Sequence, residues 1–129
     1  MDLKLKELLN NSYAPYSKFR VSAIVKMKDG KLFDGVNVEN ASYGATICAE
    51  RVAITKAISN GYKKGDFDSL YLMVDSEKIS SCCFMCRQVI SEFFNDEDKV
   101  ILYNNLGNAK ELKVKDLCPL PFNSDDLNM

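Results

Sequence analysis

The stretch TICAERVAITKAISNG, residues 46–61, predicts a helix with an unusual start. Thr46 can cap that helix, and Asn60-Gly61 ends it. Its apolar stripe comprises Val52, Ala53, Ala57 and Ile58. A second stretch, SCCFMCRQ at residues 81–88, runs from a loop into another helix. Both stretches place a cysteine at a predicted helix start, where free N–H groups and the helix dipole stabilise a thiolate.

Before the first of these stretches, the pattern predicts a helix and a hairpin. Leucines mixed with Lys and Glu indicate a short amphipathic helix from Leu3 to Ala14, ending before Pro15. Strands are expected at Phe19 to Met27 and at Lys31 to Glu39. Asp29-Gly30 between them is a strong hairpin turn.

After it, strands and helices alternate. Ser69 to Val74 predicts a strand buried on both faces, and a helix follows that ends near Asn95. Lys99 to Tyr103 and Glu111 to Val114 predict the fourth and fifth strands. This order predicts one α/β domain over residues 1–129, a three-layer α-β-α fold with a mixed, about five-stranded central sheet.

Composition excludes several classes of protein. The 129 residues carry a net charge of −1, which disfavours a nucleic-acid binder, and no apolar run could span a bilayer. The start of the chain makes a poor signal peptide, so we expect a cytoplasmic protein. There is no histidine, which removes Ser-His-Asp and Cys-His catalysis and every imidazole metal site.

The cysteines then need another explanation. In the cytosol disulfides are rare, so metal binding or catalysis is the better interpretation of five cysteines. Cys83 and Cys86 have the C-x-x-C spacing of a shared metal, and Cys48 would supply a third sulfur. Three protein ligands leave one tetrahedral position for water, which is the pattern of a catalytic zinc.

Charged residues beside these cysteines complete the predicted site. Glu50 lies too close to Cys48 in sequence to bind the same ion easily, but it can reach a zinc-bound water and move its proton. Arg51 and Arg87 are each expected to hydrogen-bond a sulfur and to withdraw negative charge from it.

Five segments together resemble the cytidine deaminase family. They are CAER at 48–51, CFMCRQ at 83–88, YAPYSKF at 13–19, NVENASY at 37–43 and LCPLPF at 117–122. Each motif alone would be weak, but jointly they cover nearly the whole chain and form a specific signal.

The resemblance implies roles for individual residues. Cys48, Cys83 and Cys86 match the zinc ligands, and Glu50 the proton shuttle. Asn37 and Glu39 match groups that bind the ribose hydroxyls, Phe19 an aromatic on the base or sugar, and the Ala49 backbone a group that reads the pyrimidine edge. Tyr43 and Phe122 match positions at subunit contacts beside the substrate. The family also implies a homotetramer with one zinc per subunit and sites at subunit interfaces.

The implied activity is zinc-dependent hydrolysis of free cytidine and deoxycytidine to uridine and deoxyuridine plus ammonia, in pyrimidine salvage. Water attacks C4 of the cytosine, and Glu50 passes protons to N3 and then to the leaving amine. Two residues depart from the family pattern, because Cys82 replaces a usual proline and Phe84 a usual glycine. Cys82 is therefore a rival ligand to Cys83, although the register favours Cys83.

Three other functions stay open at this stage. A closed, non-catalytic zinc module would need Cys82 or Cys118 as a fourth ligand and leaves Glu50 unexplained. A dithiol redox protein using Cys83 and Cys86 leaves Cys48 and Glu50 without a task. A deaminase could also act on another substrate, such as an aminated nucleoside antibiotic or a base in a polynucleotide.

Overall fold

One mixed sheet of five strands organises the chain, in a computed structural model that describes residues 1–127. The strands are β1 (Val21–Met27), β2 (Leu32–Val36), β3 (Phe67–Val74), β4 (Lys99–Tyr103) and β5 (Ala109–Lys113). Their order across the sheet is β2-β1-β3-β4-β5. Strands β3 and β4 run parallel, and the other neighbouring pairs run antiparallel. The predicted mixed sheet is confirmed.

Helices cover both faces of this sheet. They are α1 (Asp2–Leu8), α2 (Ala49–Ser59), α3 (Phe84–Phe93) and the short α4 (Val114–Leu117), with 3₁₀ turns at Leu9–Asn11, Tyr43–Ala45 and Ser124–Leu127. The larger core lies between the sheet and helices α2 and α3. On the opposite face α1 and the 3₁₀ turn that follows it bury Leu5 and Leu9 against Ile24 and Met73. The predicted three-layer α-β-α arrangement is confirmed.

Strand β3 is central, and its burial follows from that position. Leu70, Leu72 and Val74 enter the larger core, whereas Met73 points to the α1 side. A strand covered on both faces needs apolar residues at successive positions. The run of apolar residues up to Val74 therefore predicted the burial of β3 on both faces correctly.

Several predicted boundaries were wrong. The first helix ends at Leu8 and continues as a 3₁₀ turn to Asn11, so it does not reach Ala14. Val114 begins α4 and does not belong to β5. Thr46 does not cap α2, because its hydroxyl accepts a hydrogen bond from the Asn40 backbone N–H and Cys48 occupies the capping position.

Gly35 lets α2 pack closely on β2. A Cβ at this position would lie 2.5 Å from the Ala49 carbonyl oxygen and 2.6 Å from the Ala53 nitrogen. Such distances are far below van der Waals contact, so only glycine fits here without movement of the helix. The close packing fixes the start of α2 over the sheet. Within residues 1–127, no helix is long and apolar enough to cross a membrane.

Candidate active site

Two helix starts bring three cysteines together. Cys48 is the N-cap of α2 and Cys83 the N-cap of α3, both with extended backbone. Their sulfur atoms lie 3.7 Å apart. Cys86, in the first turn of α3, completes a group in which the three sulfurs all lie within 4.8 Å of one another.

The spacing of these sulfurs fits a tetrahedral zinc ion. Zn–S bonds of about 2.3 Å at tetrahedral angles would separate two sulfurs by about 3.8 Å. The distance of 3.7 Å between Cys48 and Cys83 agrees with that value. The soft donor set is the one that zinc prefers, and three thiols leave a fourth position open.

Cys82 lies outside the sulfur cluster. Its side chain is buried in the larger core. Cys83, in contrast, is exposed, and its sulfur lies 3.7 Å from that of Cys48. The cluster of Cys48, Cys83 and Cys86 therefore agrees with the register that the sequence favoured. Burial raises the pKa of the Cys82 thiol well above its usual value.

Hydrogen bonds make the Cys48 thiol acidic. The Cys86 thiol and the Arg51 guanidinium lower the pKa of Cys48 to about 5, against the effect of burial. The same bond to Cys48, followed by burial, raises the pKa of Cys86. The Arg51 Nη2 lies 3.7 Å from the Cys48 sulfur and also donates to the Thr46 carbonyl. Arg51 thus has the sulfur contact that the sequence predicted.

Glu50 is held inside the protein beside the thiols. Only 4% of its surface is exposed, in the first turn of α2. Burial raises the pKa of its carboxyl group, although hydrogen bonds from the Cys82 and Cys86 thiols oppose that effect. A carboxyl group with a raised pKa exchanges protons more readily near neutral pH than an exposed one.

Arg87 does not make its predicted sulfur contact. Its guanidinium donates to the Cys82 carbonyl at 2.8 Å, the Leu117 carbonyl at 3.1 Å and the Ser81 hydroxyl at 3.1 Å. It also lies 4.4 Å from the centre of the Phe84 ring. These three oxygen atoms therefore occupy the donors of Arg87 in place of the predicted sulfur.

A cavity of about 320 Å³ opens beside the start of α2. Its lining residues are Tyr16, Ser17, Glu39, Asn40, Tyr43 and Thr46. The Glu39 carboxylate accepts hydrogen bonds from the Tyr16 and Ser17 backbone N–H groups, at 3.0 and 3.1 Å, and from the Ser17 hydroxyl. These bonds lower the pKa of Glu39, so the group stays ionised. Glu39 is a fixed acceptor at the cavity wall.

Asn37 lies apart from Glu39, although the resemblance assigns both residues to the ribose. Strand β2 ends at Val36, and Asn37 is buried outside the lining of that cavity. Its amide donates to the Phe19 carbonyl at 2.8 Å and accepts from the Val21 N–H at 3.0 Å and the Ser12 hydroxyl. In this structure Asn37 anchors the segment that carries Phe19.

Of the remaining predicted residues, one is buried and three are exposed. Ala49 is fully buried at the start of α2. Phe19 and Phe122 are exposed, and Tyr43 is 80% exposed on the cavity rim. Sequence reasoning missed Ser12 and Ser17, which hold Asn37 and Glu39. Their position in or next to the YAPYSKF motif was the available signal.

The arrangement combines three chemical capacities. A thiol cluster can hold a metal ion, a buried carboxyl group beside it can move protons, and a cavity with an ionised acceptor can hold hydroxyl groups. Catalytic zinc sites use an open coordination position together with a neighbouring acid or base. A closed structural site has no use for the second and third features.

Comparisons with known proteins agree with this chemistry. Residues 2–103 match the family model described as the cytidine and deoxycytidylate deaminase zinc-binding region. A cytidine deaminase of Halalkalibacterium halodurans is 42% identical over 117 residues, which are 91% of this chain and 87% of the relative. A blasticidin-S deaminase of Bacillus cereus is 33% identical over 114 residues, 82% of this chain and 79% of the relative.

A solved structure supports the same assignment. The crystal structure of cytidine deaminase from Burkholderia pseudomallei matches with a TM-score of 0.87 and 39% identity, covering 92% of this chain and 93% of that one. The family model spans all three clustered cysteines and Glu50. The chain therefore belongs to the cytidine and deoxycytidylate deaminase family, with a three-cysteine cluster that could hold its metal ion.

Proposed function

We propose that this chain hydrolyses free cytidine and deoxycytidine to uridine and deoxyuridine, with release of ammonia. The observation that carries the proposal is the burial of Glu50 beside three clustered thiols at the start of α2. Family membership and the names of the relatives support the same reaction.

Cys48, Cys83 and Cys86 would hold one zinc ion in each subunit. When bound, zinc supplies the Lewis acidity that makes water a nucleophile at neutral pH. The Arg51 guanidinium offsets the negative charge that three thiolates bring together, because it contacts the Cys48 sulfur.

Glu50 performs the proton transfers in this proposal. Its carboxylate takes a proton from the attacking water and delivers it to N3 of the cytosine ring. A second proton goes to the amino group at C4, which then leaves as ammonia. A buried carboxyl group with a raised pKa suits both directions of transfer.

The cavity beside α2 would hold the sugar. Glu39 would accept a hydrogen bond from a ribose hydroxyl, since its carboxylate is fixed by Tyr16 and Ser17. Asn37 would support the ribose site from outside this cavity, because it anchors the segment that carries Phe19, and Phe19 would pack on the base or sugar. The Ala49 backbone would read the pyrimidine edge. A pocket of about 320 Å³ is within the usual size range for small-molecule sites.

We further propose a single-domain, cytoplasmic homotetramer that serves pyrimidine salvage. Exposed aromatic and apolar side chains beside the site support the oligomer: Tyr43, Phe84, Met85, Leu120 and Phe122. Such side chains commonly mark contacts between proteins. Tyr43 and Phe122 would then complete a neighbouring subunit's site.

An ultraviolet assay of zinc-loaded protein tests the reaction. Cytidine and deoxycytidine should both lose the cytosine absorbance with equimolar release of ammonia. A cytosine inside a single-stranded oligonucleotide should stay unchanged, because a net charge of −1 does not favour binding of a phosphate backbone. Zinc-replete protein that leaves both nucleosides intact would refute the proposal.

Blasticidin S is the competing substrate, because a related protein carries that name. The same assay should include it at matched concentration. A kcat/KM for blasticidin S that exceeds the value for cytidine would move the assignment to nucleoside antibiotics, while the hydrolytic chemistry would stand.

A further inference from the structure

Arg87 joins two parts of the chain that are distant in sequence. Its Nε and Nη2 atoms bond to the Cys82 carbonyl and the Ser81 hydroxyl, in the loop that leads into α3. Its Nη1 atom bonds to the Leu117 carbonyl at the end of α4. One side chain therefore connects the loop that carries Cys83 with the last residue before the C-terminal segment 118–122.

The next residue strengthens the same connection. The Gln88 amide donates to the Phe122 carbonyl at 2.6 Å. Arg87 and Gln88 thus hold segment 118–122 at both ends, at Leu117 and at Phe122.

The guanidinium suits this position for a geometric reason. Its donors form a rigid planar fork, so one group can bond acceptors on two sides at once. The Leu117 carbonyl belongs to the last turn of α4, where carbonyl oxygens lack partners inside the helix. A lysine ammonium is a point charge and could not hold the same three oxygens in one plane.

Phe84 covers this guanidinium. The Arg87 guanidinium lies 4.4 Å from the centre of its ring, a distance at which a cation is attracted to an aromatic face. Phe84 is 79% exposed, so most of its side chain lies at the protein surface. Phe84, which departs from the glycine of the family pattern, therefore packs against Arg87.

From these contacts we propose that Arg87, covered by Phe84, is a positioning residue that fixes the C-terminal segment and Phe122 against the cysteine loop. The inference rests on the proposed function for its effect on substrate, but the contacts it describes do not. Arg87 touches neither a sulfur nor the cavity, so it acts through the segment that it holds.

Hydrogen exchange tests the contact itself. In zinc-loaded Arg87→Gln, the backbone amides of the non-proline residues in this segment should exchange about tenfold faster than in the wild type, with a smaller increase in Arg87→Lys; these residues are Leu117, Cys118, Leu120 and Phe122. Phe84→Leu, which keeps apolar bulk but removes the ring, should fall between wild type and Arg87→Gln. Glu92→Gln is the matched control on α3, because it removes only an exposed ion pair with Lys64. Unchanged exchange in folded Arg87→Gln would overturn the proposal.

Kinetics then test whether the contact acts on the substrate. Arg87→Gln should raise KM for cytidine about tenfold and change kcat by less than about threefold, with zinc content unchanged. A lowered kcat with loss of zinc would instead show a role in metal binding and would overturn the proposal.

A double variant separates positioning from general damage. If Arg87 acts through Phe122, the KM of Arg87→Gln with Phe122→Ala should not exceed that of the worse single variant. Multiplying effects would contradict a shared route. If wild-type protein fails to deaminate cytidine, the proposed function falls, whereas the exchange experiment still decides whether Arg87 fixes the segment.

Discussion

Helices α2 and α3 begin in the same way and then diverge. Each has a cysteine at its N-cap with extended backbone, and the two sulfurs lie 3.7 Å apart. The next two residues of α2, Ala49 and Glu50, are buried, whereas those of α3, Phe84 and Met85, are 79% and 62% exposed.

The surroundings of each helix start explain this difference. The start of α2 lies over Gly35 of β2, where no side chain intervenes between helix and strand. The start of α3 lies at the surface and is held by the side chain of Arg87. The two N-cap sulfurs can therefore bind the same metal ion although the residues that follow them differ. In α2 these include the buried carboxyl group of Glu50, and in α3 they include the exposed ring of Phe84.

The largest effect is expected at the second residue of α2, and the second residue of α3 provides the comparison. Glu50→Gln should lower kcat by about 10²- to 10⁴-fold with zinc retained, because it removes the proton shuttle but keeps the shape. Met85→Gln, at the equivalent position of α3, should keep kcat within about twofold. Steady-state kinetics with metal analysis checks both. Equal losses of kcat in the two variants would contradict the different roles of the two helix starts.

The two N-cap cysteines should behave alike. Cys48→Ala and Cys83→Ala should each weaken zinc binding by more than about 100-fold, since losing a ligand costs more than losing its supporting partner. Cys82→Ala should retain zinc, because that thiol lies outside the cluster. Competition with a chelator measures all three. A zinc-replete Cys83→Ala protein would assign the ligand to Cys82 instead.

Gly35→Ala tests why the start of α2 is buried. The added methyl group would collide with the Ala49 carbonyl, so the free energy of unfolding should fall by about 1–3 kcal/mol. Denaturant unfolding of the zinc-loaded protein measures this. Gly44→Ala is the control, because nothing lies within 4 Å of a Cβ there. Similar stability of the two variants would contradict the role of close packing.

Arg51→Gln should have the smallest of these effects. Loss of the contact with the Cys48 sulfur should lower kcat about tenfold while zinc stays bound. Lys56→Gln, on the same helix and in an exposed ion pair with Asp34, provides the comparison. An unchanged kcat in Arg51→Gln would show that the contact between Arg51 and the Cys48 sulfur does not affect turnover.

The sequence predicted the fold better than the contacts of individual residues. The succession of helices and strands along the chain, and from it the three layers, followed from local patterns of apolar residues and turns, which act over a few residues. Thr46 and Val114 were placed wrongly because each has a partner or a neighbouring element that the local pattern did not show. Gly35 was not recognised, since its importance lies in a helix that packs over it.

By itself the sequence determined the family, the order of elements and the residues that could bind a metal, because cysteine spacing and helix starts are local properties. Only the tertiary structure decided that Cys82 lies in the core, that Glu50 is buried and that Arg87 bonds to oxygens of the loop and of α4. The physical reason is distance along the chain. A side chain's burial and partners depend on segments that meet it only after folding, as Leu117 meets Arg87.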